Sequence, residues 1–296
     1  MKKLFWLFLV SSAMVAGCSK KAGEYTPEPP VEPVNIPINI AASIQTRVTD
    51  TAFEVNDKVG VYIVNHNGAN AGTLTDSGNY VDNLCVSYSG NWSTATPVFW
   101  KDQTTPADFY AYFPYSSAVD NVSAYPFSVQ HDQNSDENYK ASEFLWGSRT
   151  DVAPTADPIQ ITVKHAMSNL IIKLQAGQGY TEADLERASV TILGLKTGAS
   201  INLENGVVTA TGNVSSIIPR KEAAGFRALI VPQSISESKL IEVSIDGNTY
   251  SLTQSMTFET NKQHICTLIV NRINEGFNIG IGSWETDEND YGGTVK

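Results

Sequence analysis

Four histidines and three cysteines are the side chains from which a base, a nucleophile or a soft metal ligand would be drawn. His66, His131, His165 and His264 are scattered along the chain, so none forms the short-range pair that a zinc site uses. The patterns G-x-S-x-G and H-E-x-x-H and a glycine-lysine phosphate loop are absent. The stretch Asp132 to Glu143 puts acids or Asn at loop positions one, three, five and twelve of a calcium-binding hand. Position six, however, is Glu137 where the turn needs glycine, and no helix pattern flanks the loop, so it reads as a solvated acidic loop. Asp287 to Asp290 is a second acidic group, in a tail with few apolar residues. Trp92, Trp100, Trp146 and the tyrosines Tyr110, Tyr112 and Tyr115 could stack on sugar rings, which would suit a carbohydrate-binding surface lipoprotein of a glycan-uptake system. In a β-sandwich such rings are more often core, each burying about 150 to 250 Å². No catalytic residue, metal ligand or cofactor site is expected, and the chain does not read as an enzyme.

One cysteine does carry a chemical expectation. Lys2 and Lys3 precede an apolar run from Leu4 to Val15, too short to span a bilayer as a helix, which ends in Val15-Ala16-Gly17-Cys18. This resembles a bacterial lipobox, in which cleavage before the cysteine is coupled to its acylation. Residues 1–17 are then a signal peptide and Cys18 the lipidated first residue, with palmitate-like chains holding the protein to the outer membrane. Loss of Lys2 and Lys3 leaves 18 basic against 31 acidic residues, a net charge of −13. Nucleic acid and anionic surfaces are poor partners for such a chain. Cys85 and Cys266 remain, and read as two buried thiols, one in each half of the chain.

The elements that would position these residues are strands. Residues 18–35 form a Pro-rich tether, extended and coreless. Ile36, Ile38 and Ile40 alternate with Pro37 and Asn39, a first strand that Pro37 places at a sheet edge. The stretch Ile159 to Leu174 alternates apolar and polar residues on one parity and then on the other, which requires a bulge or tight turn around His165 to Asn169. Residues 18–158 hold 18 aromatics and residues 159–296 only seven, so the stretch is taken as the entry to a second unit. Thr181 to Asp184 has the form of a capping box before a brief helix. Asn205-Gly206 and Asp246-Gly247-Asn248 mark hairpins. The expected fold is all-β: two tandem antiparallel β-sandwiches, residues 36–158 and residues 159–296, the second ending in an acidic tail.

Several short motifs occur in order along nearly the whole chain. They are the Cys18 lipobox, Thr46-Arg47, Asn56-Asp57-Lys58-Val59-Gly60-Val61-Tyr62, Phe109 to Tyr115, His165-Ala166-Met167-Ser168-Asn169-Leu170, Leu229 to Gln233, and Ile281-Gly282-Ser283-Trp284. Together they resemble the fimbrillin (Mfa-like) lipoproteins, the subunits and accessory proteins of type V pili. The resemblance implies two transthyretin-like sandwiches, adhesion or pilus building at the cell surface, and assembly by strand addition. An Arg-specific protease would cut after Arg47, the strand carrying Ile36, Ile38 and Ile40 would be displaced, and a strand from another fimbrial subunit would fill the groove. The opposite reading keeps Arg47 as a surface arginine and the strand in place, as in an anchor or tip protein. Phe277, Ile279 and Ile281 share one face and are the candidate donor strand; the same segment also reads as an ordinary strand of its own unit. Partners on this resemblance are other subunits, the protease, the outer membrane, and host or bacterial surface ligands.

Overall fold

Period-two apolar runs punctuated by Gly, Asn and Asp turns give the chain little to build but strands. The computed structural model describes residues 35–44, 52–223, 225–272 and 278–286, the last stretch as backbone alone. In chain order the first elements are β1 (Ile40–Ile44), β2 (Lys58–Asn65), β3 (Val81–Tyr88), β4 (Trp92–Thr94), β5 (Ala107–Phe113) and β6 (Tyr125–Ser128). Helix α1 (Asp136–Ala141), β7 (Leu145–Val152) and β8 (Ile159–His165) follow. Next come β9 (Ser168–Ala176), helix α2 (Glu182–Leu185), β10 (Ser189–Ile201), β11 (Val208–Ile217) and β12 (Arg220–Glu222). The chain closes with β13 (Gly225–Ile230), β14 (Gln233–Ile245), β15 (Asn248–Phe258), β16 (Gln263–Asn271) and β17 (Asn278–Thr286).

Three sheets result. The first has the order β1-β8-β7-β5-β2-β3-β4; the second β11-β10-β14-β15, with β6 also on β10; the third β12-β13-β9-β16-β17. Two pairings between the named strands run parallel, β1 with β8 and β9 with β16. The alternation read at Ile159 to Leu174 is present: Ile159, Ile161 and Val163 are buried, as are Leu170 and Ile172. It marks a change of sheet, not a bulge within one. β8 pairs into the first sheet and β9 into the third, and Ala166 and Met167, both buried, carry the chain between them. The passage from one sheet system to the other therefore lies after His165, not ahead of Ile159. β6 also departs from the expected grouping, since residues 125–128 pair antiparallel with 198–201 of β10.

Strands β2 and β5 explain why this architecture has two cores. Val59, Val61, Ile63, Ala107, Phe109 and Ala111 face a smaller core that also holds Ile38, Ile40, Trp100, Leu145 and the apolar face of β8. Tyr62, Val64, Tyr110 and Tyr112 point the other way, into a larger core shared with the second and third sheets. Because both faces are covered, β5 is buried from Ala107 to Tyr112 and shows no wet face.

Local signals at turns and caps act as their chemistry dictates. Thr181 accepts from the Asp184 amide while the Asp184 side chain accepts from the Thr181 amide, a complete capping box on α2. Gly206 takes φ +74° in the β10–β11 turn and lies under the Trp146 ring, where a Cβ would come within 2.4 Å of it. The acidic stretch after His131 is not simply a loop: Ser135 caps α1, whose Tyr139 is buried.

Candidate functional site

β1 and the seat that holds it contain Ile36, Ile38 and Ile40, the residues singled out as the displaced strand. Ile38 and Ile40 are buried, with relative exposures of 6% and 7%, and Ile36 packs beside them on the smaller core. The regular strand begins only at Ile40; the preceding residues pair elsewhere. The Ile38 amide donates to Val98 O at 2.8 Å and the Trp100 amide to Ile36 O at 2.9 Å, with Pro37 opposite Phe99. Pro37 has no amide to lose in this short bridge. The chain then crosses to β8, where Ile40, Ala42 and Ile44 stand opposite Ile159, Ile161 and Val163 in parallel register. The Ile159 amide donates to Asn39 O at 2.7 Å, and Asn39 Nδ2 donates to Ala156 O at 3.0 Å. The first strand is thus the edge of the seven-stranded sheet and a wall of its core.

The seat is apolar. Burial pushes the phenols of Tyr62 and Tyr110, on the opposite faces of β2 and β5, up to about 12. The three indoles that suggested sugar stacking are used internally. Trp92 Nε1 donates to Ala42 O at 2.9 Å, Trp100 Nε1 to Thr155 O at 2.9 Å, and Trp146 Nε1 to Leu203 O at 2.7 Å. Trp100 is buried in the smaller core, and Tyr110 and Tyr112 are buried in the larger.

Charged groups elsewhere are engaged in holding the fold. His66 Nε2 meets Asp108 Oδ1 at 2.8 Å, both side chains buried, and the same oxygen accepts from the Asp151 amide at 2.7 Å. His165 Nδ1 lies 2.9 Å from Glu143 Oε2 at the change of sheet. Of the acids in the calcium-like spacing, Asp132 accepts from the Asn134 amide, Asp136 pairs with Arg220 at 2.9 Å, and Glu143 faces His165. Among the described residues, no three His, Cys, Asp or Glu side chains group closely enough to hold a metal ion. Cys85 is half-buried and Cys266 fully buried; both are free, and burial pushes the Cys266 thiol up to about 12.

The other residues picked out by the sequence divide in two. Cys18, Arg47 and Phe277 lie outside the described residues. Ile279 and Ile281 lie in β17, opposite Val270 and Leu268 of β16, so the candidate donor segment pairs within its own sheet. Sequence reasoning missed Trp92, Asn39 and the Val98–Trp100 bridge as parts of the seat. Their signal was available only as a short aromatic strand, because each acts on a segment distant in sequence.

The pattern of a protein family described as fimbrillin-like matches residues 46–284. A protein of Bacteroides uniformis named as a candidate fimbrium subunit, Fim1C, is 23% identical over 294 residues, covering 93% of each chain. Among solved structures, a candidate cell adhesion protein from Bacteroides uniformis aligns with TM-score 0.66 and 19% identity, over 85% of this chain and 98% of that one. One from Bacteroides ovatus gives TM-score 0.66 and 20% identity, over 85% and 97%. These structures share the fold.

Proposed function

Since the chain belongs to the fimbrillin-like family, we propose that it is a structural and adhesive component of a fimbrium, a pilus subunit or accessory protein that assembles with other subunits by strand exchange and catalyses nothing. The observation that carries this reading is the seating of β1. A strand with Ile38 and Ile40 in the core occupies a sheet edge, paired over its regular length by β8. Removing such a strand exposes unpaired backbone groups along β8 and an apolar wall, and another strand with alternate apolar residues satisfies both.

Proteolysis after Arg47 is the trigger in this scheme. While the chain is continuous, β1 is tethered to its seat and returns after every opening. A cut converts it into a separate peptide that can be lost to a competitor. Acylation at Cys18 would bring the uncut protein to the outer membrane and the cut one free of its anchor. The segment of Phe277, Ile279 and Ile281 has the alternation a donor needs. It serves as one only by leaving its place beside β16.

The test is treatment of the purified chain with an Arg-specific protease, with products followed by mass and native size. The expected outcome is a cut after Arg47 followed by discrete multimers, with Arg47→Lys remaining whole and monomeric. Cut protein that stays monomeric at high concentration, and also fails to take up a strand peptide, would sink the proposal.

A further inference from the structure

β1 has two backbone edges, and they are held very differently. One is filled by the parallel ladder to β8. Along the other, the Val98–Trp100 bridge holds residues 36–38, but among the described residues no strand pairs with residues 40–44, and β4 pairs with β3. The Ala42 carbonyl on that edge is met by one side chain, Trp92, reaching from β4 with its Nε1–H at 2.9 Å.

The indole is held in place for this. Trp92 stands directly opposite Tyr88 across the β3–β4 hairpin, with ring centroids 5.0 Å apart. The Phe53 ring meets it edge-on at 4.7 Å and rests in turn against Phe113 at 5.8 Å. Two rings therefore fix the direction of the N–H before β1 arrives.

The geometry points to Trp92 as a latch on β1, a positioning residue that sets how readily the strand leaves its seat. The inference rests on the reading of β1 as an exchangeable strand. A ladder along the second edge would multiply the penalty for opening bond by bond. One indole bond shifts the opening equilibrium about fivefold. The strand is thus retained in the resting protein and still leaves when a competitor arrives.

Hydrogen exchange followed by mass spectrometry on the full chain tests this without any assembly step. In Trp92→Phe the ring and its packing stay and the donor is lost. The amides of Ala41 and Ser43, which face β8, should exchange about fivefold faster while those of β2 and β5 keep their rates. Unchanged exchange at Ala41 and Ser43, or an equal rise throughout the protein, would overturn the latch. Phe53→Leu provides a second reading should Trp92→Phe fold poorly: loosening the clamp should speed the same amides and spare β5, and no local effect again overturns the inference. Faster local exchange in protein that never multimerises after cleavage would support the latch and count against strand exchange itself.

Discussion

His264 shows what a single buried group can do to this protein. It is 2% exposed, stands edge-on to Phe258 with centroids 5.5 Å apart, and neither ring nitrogen has a hydrogen-bond partner among the described residues. Burial holds its pKa below the ordinary histidine value, with Lys262 adding to the effect and Glu259 opposing it. The unfolded chain therefore takes up a proton near pH 6.5 that the folded chain resists. Stability from this group is complete above that pH and falls as acid drives the pH down toward the folded value. The unfolding free energy from urea titrations should fall as the pH drops below about 6.5, by at most about 1.4 kcal/mol per pH unit from this one group. His264→Phe should flatten that part of the slope; a slope unchanged in the variant would show that the acid sensitivity arises elsewhere. A sequence placing His264 in a strand pattern shows that the residue alternates with apolar neighbours. It does not show that the ring is buried, because the β9 strand that pairs beside it lies far away in the sequence.

At the scale of the element, β7 and β8 depend on a missing side chain. A Cβ on Gly147 would lie 2.3 Å from the Thr162 carbonyl oxygen and 2.9 Å from the Val163 Cα, both backbone atoms that have no rotamer to yield. Gly147→Ala should therefore push β8 away from β7 and cost about 1–3 kcal/mol in chemical denaturation. Because β8 is the seat of β1, exchange at Ala41 and Ser43 should rise as well; a variant of normal stability would contradict the contact. Elements of this kind were partly legible in the sequence. The β8 alternation, the Asn205-Gly206 turn and the Thr181 capping box each rest on residues within a few positions of one another, and each appears as expected. What escaped was pairing over distance. Helix α1 hid in a polar stretch because the signal for it, a Ser135 cap and a buried Tyr139, has meaning only beside the strands that cover the tyrosine. β6 looked like a strand of its own half and pairs instead with β10.

On the scale of the molecule, the larger core ties the halves of the sequence together. Tyr62, Tyr110, Tyr112 and Phe144 share it with Leu170, Ile192, Leu240 and Leu268. Thermal unfolding should accordingly be one transition, with tryptophan fluorescence and far-ultraviolet circular dichroism superimposing; two resolved transitions would show that the halves melt apart. β2 and β5 have two buried faces to fill, and their tyrosines all face the larger core. The pairing of β1 with β8 has a consequence in time. Asn39 bonds to Ala156, 117 residues further along, and every ladder bond of β1 goes to residues beyond that point. As the chain is delivered from its N-terminus, this segment can meet Trp92 and the Val98–Trp100 bridge early, but β1 has no strand to form a ladder with until β8 has emerged. The first strand to be made is therefore among the last of its sheet that can be paired, and its seat is born vacant, open to whichever strand reaches it first.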